Sequence, residues 1–207
     1  MEKRLAVSIT YLFHPLLVPT YGMFLLYKVF SSIYFIQDLR IPLLLMGITW
    51  VSTCLLPGLS SYILLRTGFV KSMEMDLRKE RVWPYLITSI YYLFAYYTLK
   101  DFPVPSGMSL TIRFFVLGAT TSLLLSMGIN FVWKISAHAV AMGGLSGALL
   151  ALCLFVPNPP MPFLYVVLGV SGLVMSSRLK LEAHTGAQVY AGYLLGFLCT
   201  FSLFFIH

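Results

Sequence analysis

The chain has 207 residues, of which 59% are apolar and only 10% are charged. Ordinary soluble domains carry about 25% charged residues, so too few charges are present to cover the outside of a fold this size, and a water-soluble globule is excluded. The 14 Lys and Arg against 7 Asp and Glu leave a formal charge of +7; with such long uncharged runs, nucleic acid is excluded and the basic excess points to phosphate groups or anionic lipid.

A bilayer core about 30 Å thick is crossed by roughly 17–25 apolar residues in a helix. Stretches of this kind, bounded by charge, proline or turn residues, are predicted at Leu5–Tyr27, Ile41–Leu65, Val82–Leu99, Phe114–Trp133, Ala139–Val156, Pro162–Ser177 and Thr185–Ile206. The first holds His14, Pro15 and Pro19 and lacks a small-x-small cleavage site, so it reads as retained in the mature protein. The uncharged run from Ala139 to Ser177 is too long for one crossing, and Pro157-Asn158-Pro159-Pro160-Met161-Pro162 splits it into two spans with a tight turn. The first stretch is broken by its prolines and the sixth is short. The expected fold is therefore all-α, a polytopic transmembrane helical bundle of six to seven spans, forming a single membrane domain over residues 1–207.

Gly143, Gly144 and Gly147, Gly169 and Gly172, and the Gly192-x3-Gly196 pair mark helix faces suited to close packing in lipid. Cys54, Cys153 and Cys199 each lie inside an apolar run without metal-ligand spacing, so neither a disulfide framework nor a zinc site is expected. Tyr91, Tyr92, Tyr96, Tyr97, Trp50, Trp83 and Trp133 fall within spans or near their ends, and an interfacial belt accounts for most of them.

Threading the seven stretches alternately across a bilayer puts the N-terminus, Arg66–Arg81, Lys134–His138 and Arg178–His184 on one side. That side also takes most of the Lys and Arg, which the positive-inside rule would make cytoplasmic. Once Arg78, Lys79, Arg81, Lys134, Arg178 and Lys180 are set aside as candidate ligand-binding groups, the two sides carry equal positive charge and orientation stays open.

Ser177-Arg178-Leu179-Lys180-Leu181-Glu182-Ala183-His184-Thr185-Gly186-Ala187-Gln188 puts a basic cluster and a histidine where a loop re-enters the membrane. Ionisable groups at that depth are expensive and by default functional. The spacing Ser-Arg-x5-His-x3-Gln-x3-Gly resembles the third signature of the phosphatidic acid phosphatase type 2/haloperoxidase superfamily, Ser-Arg-x5-His-x3-Asp, with Gln188 at the position of the Asp. Ile135-Ser136-Ala137-His138 is similar to the second signature, Pro-Ser-Gly-His, keeping Ser and His. Lys71-x6-Arg78 matches the spacing of the first, Lys-x6-Arg-Pro, with Lys79 in place of the Pro, while Arg81 with Pro84 gives a looser alignment. The resemblance covers roughly Lys71 to Gly196, in the family's order, within a core of about residues 66–206.

By that resemblance His184 is the nucleophile that becomes phosphohistidine and His138 is the general acid. Lys71, Arg78 or Arg81, and Arg178, with help from Ser136, clamp the phosphate. The chemistry is coherent in its own right. Metal-free hydrolysis of a phosphate ester needs a nucleophile, an acid for the leaving oxygen, and cations on the non-bridging oxygens; imidazoles titrate near neutrality, and Arg grips phosphate with two prongs. The implied partner is a phosphorylated lipid in the bilayer, such as a phosphatidate-like, phosphatidylglycerol phosphate, polyprenyl (pyro)phosphate or lipid A head, acted on without cofactor or metal. The implied location is a bacterial inner membrane.

The departure at Gln188 removes a negative charge from the partner of the nucleophile; Glu182 or Asp76 is the candidate to supply a carboxylate from elsewhere in the fold. The alternative is a catalytically weak or inactive relative that binds a phosphorylated lipid or scaffolds a membrane complex. A transporter is disfavoured because the ionisable groups gather at one face rather than at the midplane of inverted repeats. His14, in His-Pro-x3-Pro, has no partner in sequence and reads as structural.

Overall fold

The computed structural model describes residues 2–71 and 78–206, apart from the side chains of Arg78 and Lys79. In chain order the helices are α1 (Lys3–Leu12), α2 (Val18–Tyr34), α3 (Arg40–Trp50), α4 (Leu56–Arg66), α5 (Val82–Leu99), α6 (Ser106–Asn130), α7 (Ala137–Phe155), α8 (Met161–Lys180) and α9 (Gly186–Leu203). No strand occurs among the described residues. Among the described residues five helices are long and apolar enough to cross a membrane: Arg40–Arg66, α6, α7, α8 and α9. Large apolar side chains such as Leu43, Leu59, Phe94, Val166 and Leu194 point outward and are exposed, as they must be in a protein whose solvent is lipid.

The predicted stretch Val82–Leu99 coincides with α5, although α5 is not among those five helices. The predicted first span, Leu5–Tyr27, is not continuous: α1 stops at Leu12 and α2 starts at Val18. Pro15 has no N–H to continue the ladder, while Pro19 falls in the first turn of α2, where its missing donor costs nothing. Carbonyls freed by the break find partners elsewhere. The Tyr21 hydroxyl donates to Leu12 O at 2.9 Å, and the Thr53 hydroxyl is shared between Thr49 O at 2.8 Å and Leu16 O at 3.3 Å. Irregular backbone at membrane depth is tolerated where such partners exist.

α3 and α4 form one run of 27 residues joined by a π-helical turn at Val51–Leu55. Pro57 explains the widened turn, because it cannot donate to the carbonyl four residues back and its ring crowds that carbonyl. α6 begins at Ser106, well before the predicted Phe114, and so takes Arg113 into the helix. Arg113 is accommodated because its Nε donates to Lys100 O at 2.8 Å, at the C-terminal end of α5, with Asp101 nearby at 3.7 Å.

α7 is the buried centre, with 78% of its apolar window covered by neighbouring helices. Its tightest partner is α9. A methyl added to Gly143 would strike the Tyr193 carbonyl, and one on Gly196 would strike the Val140 carbonyl. On Gly147 it would lie 2.5 Å from Phe197 O. Backbone thus touches backbone, as small residues permit in lipid. Gly169 and Gly172 do not belong to such a face: among the described residues no atom of another element lies within 4 Å of a methyl placed on either. Their helix, α8, meets α7 instead through Ser171 and Ser146, whose hydroxyls are 3.3 Å apart.

Candidate active site

The loop between α8 and α9 is built from two helix caps placed back to back. At the end of α8, Ala183 N donates to Arg178 O at 3.2 Å and Glu182 N to Leu179 O at 3.0 Å, with Glu182 left-handed at φ 53°. This is a Schellman cap, in which glycine usually occupies the left-handed position. Three residues later α9 opens on a capping box: Gln188 N donates to Thr185 Oγ1 at 3.4 Å, and Thr185 N donates to Gln188 Oε1 at 3.2 Å. Only Ala183 separates Glu182 from His184, so the two caps fix Arg178 and His184 relative to each other.

Gln188 also sets the state of the histidine. Its Oε1 accepts from the Thr185 backbone, which identifies that atom as the oxygen, and His184 Nδ1 lies 3.2 Å from the same oxygen. Nδ1 must therefore carry the proton, leaving the Nε2 lone pair available. His184 is 9% exposed. Burial first, and then the Arg178 guanidinium, lower its pKa; the bond to Gln188 works the other way, Arg81 and Lys134 add to the lowering, and the balance lies at about 4. At neutral pH the ring is uncharged.

A cavity of about 690 Å³ opens beside this loop, within the range of ligand sites. Its polar end is lined by His14, His138, His184, Arg81, Lys134 and Arg178. From there it runs inward past Tyr92, Ser122 and Ser126 to Phe115, Leu145 and Thr200. Arg178 Nε is buried and makes no hydrogen bond among the described residues, an expensive condition for a cationic donor. Arg81, Lys134 with His138, and Arg178 with His184 come from three of the four pieces that alternate threading assigns to one side, while His14 comes from the break after α1, inside the first predicted stretch.

The sequence candidates fare differently. His184, His138, Arg178 and Arg81 line the cavity, and Gln188 stands behind His184. Pro84 also lines it, so the looser Arg81 and Pro84 alignment reaches the site. Lys71 is exposed and does not line the cavity. The side chain of Arg78 and all of Asp76 lie outside the described residues. Ser136 is fully buried, caps α7 by accepting from Ala139 N at 3.4 Å, and is absent from the cavity wall. Its backbone N–H donates to Gln188 O at 3.3 Å, tying the start of α7 to the start of α9. Glu182 is exposed at the rim, while the bond at His184 Nδ1 goes to Gln188.

His138 is half-buried and its Nε2 is 3.2 Å from the carbonyl oxygen of Thr10. A carbonyl only accepts, so Nε2 carries the proton. Sequence reasoning left His14 as structural and named Lys134 only among the charges set aside as candidate ligand-binding groups, yet both line the cavity. The signal for His14 was available: an ionisable residue inside a proline-broken apolar run. Among the described residues no three His, Cys, Asp or Glu side chains converge into a group able to hold a metal.

Comparison of the chain with known protein families, characterised proteins and solved structures finds no match.

Proposed function

We propose that this helical membrane protein is a lipid-phosphate phosphatase that hydrolyses a phosphomonoester or pyrophosphate by a metal-independent phosphohistidine route. The observation that carries the reading is His184: neutral, with its Nδ1 proton committed to Gln188, on the wall of the cavity where a buried Arg178 donor stands unpaired. In the proposed reaction His184 Nε2 forms a bond to phosphorus as the bond from phosphorus to the lipid oxygen breaks. Arg178 and Arg81 neutralise the non-bridging oxygens. Neutral His138, its Nε2–H held by Thr10 O, takes the proton of the monoanionic phosphate on Nδ1 and passes it to the leaving oxygen, and the water that then cleaves the phosphohistidine leaves its proton on the same nitrogen. The inward reach of the cavity to Phe115 and Leu145 suits a ligand whose tail stays among the helices. The same reading places the chain as one domain with six or seven crossings of a bacterial inner membrane.

The test is phosphate release from a panel of lipid phosphates by purified protein and its His184→Ala variant. Loss of release in the variant is expected; equal rates would remove His184 from the reaction. A second reading, binding without turnover, is favoured by one observation: the partner of His184 is a neutral amide, which stabilises a forming imidazolium less than a carboxylate does. It predicts saturable binding of lipid phosphate with no release in either protein.

A further inference from the structure

We infer that His14 is a third functional imidazole of this site, delivering an N–H donor to the phosphate monoester through the break between α1 and α2. The inference rests on the reading of the cavity as a phosphate site and adds a residue that the signature pattern does not contain. His14 sits in the break itself and lines the cavity's polar end. Leu16 N donates to His14 Nδ1 at 3.3 Å. A backbone N–H only donates, so Nδ1 is a bare acceptor and the neutral ring carries its proton on Nε2.

The neighbouring histidine has the complementary limitation. His138 spends its Nε2–H on Thr10 O at 3.2 Å and in its neutral form has no other N–H to give. The two rings meet edge to face with centroids 5.6 Å apart. His14 thus supplies the kind of group that neutral His138 lacks, from a second chain segment. The break has a cost that packing alone does not require. The Tyr21 hydroxyl must donate to the Leu12 carbonyl, Leu16 O gets only a share of the Thr53 hydroxyl that also bonds Thr49 O, and the segment that emerges holds an imidazole against the site. A functional group explains why a membrane helix is interrupted there, as discontinuous helices bring polar groups to ligands in other membrane proteins.

The experiment separates the donor from the turn. His14→Asn keeps an acceptor for Leu16 N, because Asn bonds the N–H two residues on, but is too short to reach as His14 does. His14→Gln restores an amide N–H at longer reach. Detergent-solubilised wild type and both variants are titrated with inorganic phosphate and, separately, with dihexanoyl phosphatidate; thermal melting is recorded for each. The expected result is melting of His14→Asn within a few degrees of wild type, with affinity for both ligands lowered about 10- to 100-fold, the loss of one hydrogen bond to a charged group. His14→Gln should recover most of it. A loss confined to phosphatidate would overturn the inference, since it would assign His14 to the lipid rather than to the phosphate.

Unchanged affinity in His14→Asn would also overturn it, even if turnover by wild type upheld the phosphatase reading. Phosphate binding that depends on His14 without any turnover would sustain the inference while the phosphatase reading fell. Should both variants fail to fold, the ¹⁵N-histidine spectrum of wild type decides: the His14 Nε2–H resonance moves on addition of phosphate, and a resonance that stays fixed at saturation overturns the proposal.

Discussion

Replacing Gln188 by Glu tests how the state of His184 is set. Glu has the same reach and still satisfies the capping-box pattern at the third helical position, so one carboxylate oxygen can accept from Thr185 N and the other from His184 Nδ1–H. The fold of the loop is kept while the bond at 3.2 Å changes from neutral to charged. A hydrogen bond to an ionised group stabilises by about 1–2 kcal/mol more than one to a neutral amide, and at 1.36 kcal/mol per pH unit this raises the pKa by about 1–2 units. His184 should move from about 4 in the wild type to about 5–6 in the variant. The assay is a histidine NMR titration in detergent micelles, assigned with His184→Asn. If the protein is an enzyme, the acid limb of kcat/KM, which reports the free protein, should move upward by the same interval. A His184 resonance that titrates at the same pH in both proteins would refute the argument that Gln188 Oε1 is the partner of Nδ1.

Other consequences concern stability. A histidine at about 4 in the folded protein and near 6.5 when unfolded binds fewer protons folded than unfolded between those values; its contribution is complete above pH 6.5 and is lost as pH falls to about 4, a total of roughly 3 kcal/mol. Denaturant midpoints of wild type and His184→Asn should converge over that window, and parallel profiles would contradict the burial of the ring. Gly196→Ala drives a methyl into the Val140 carbonyl and should destabilise by about 1–3 kcal/mol or more. Gly172→Ala meets nothing and should be neutral or stabilising by up to about 1 kcal/mol, so equal melting shifts for the two would contradict the α7–α9 packing. Glu182→Gly relieves a left-handed backbone at φ 53° and should raise the melting temperature, by about 0.5–1 kcal/mol in stability; a decrease would argue against the Schellman geometry.

Much of the helical layout is readable from uncharged runs and prolines, because both act locally. The run Val82–Leu99 ends where charge appears at Arg81 and Lys100, and those are the ends of α5. The proline-rich turn separates α7 from α8 for the reason the sequence suggests. Errors arose where a distant partner changes the cost of a residue. Arg113 looks like a loop residue until the carbonyl of Lys100 is there to receive it. The break at Phe13 to Leu17 is foretold by the prolines of the first stretch, but not the hydroxyl of Tyr21 that donates to the Leu12 carbonyl. Glycines in α8 resemble packing glycines, because composition does not say which helix face meets a neighbour.

The site divides along the same line. Spacing alone brings Arg178, His184 and Gln188 together, since they belong to one loop whose caps are written into Thr185 and Gln188; Thr-x-x-Gln was itself a legible helix start. Ser136 carries the residue type of a phosphate ligand, but its position at the N-cap of α7 commits its oxygen to backbone. His14 was hidden because its neighbour in the cavity, His138, is far along the chain.

The most direct measurement of the central claim is a search for phosphohistidine. Wild-type protein in detergent is mixed with a turned-over lipid phosphate, quenched in alkali within the first turnover, digested and examined by mass spectrometry, beside His184→Asn. The account predicts a phosphoryl group on the peptide carrying His184 in the wild type, none in the variant, and loss of phosphate release with it. Phosphate release at the wild-type rate by His184→Asn, or turnover by the wild type with the phosphoryl group on another residue, would contradict it.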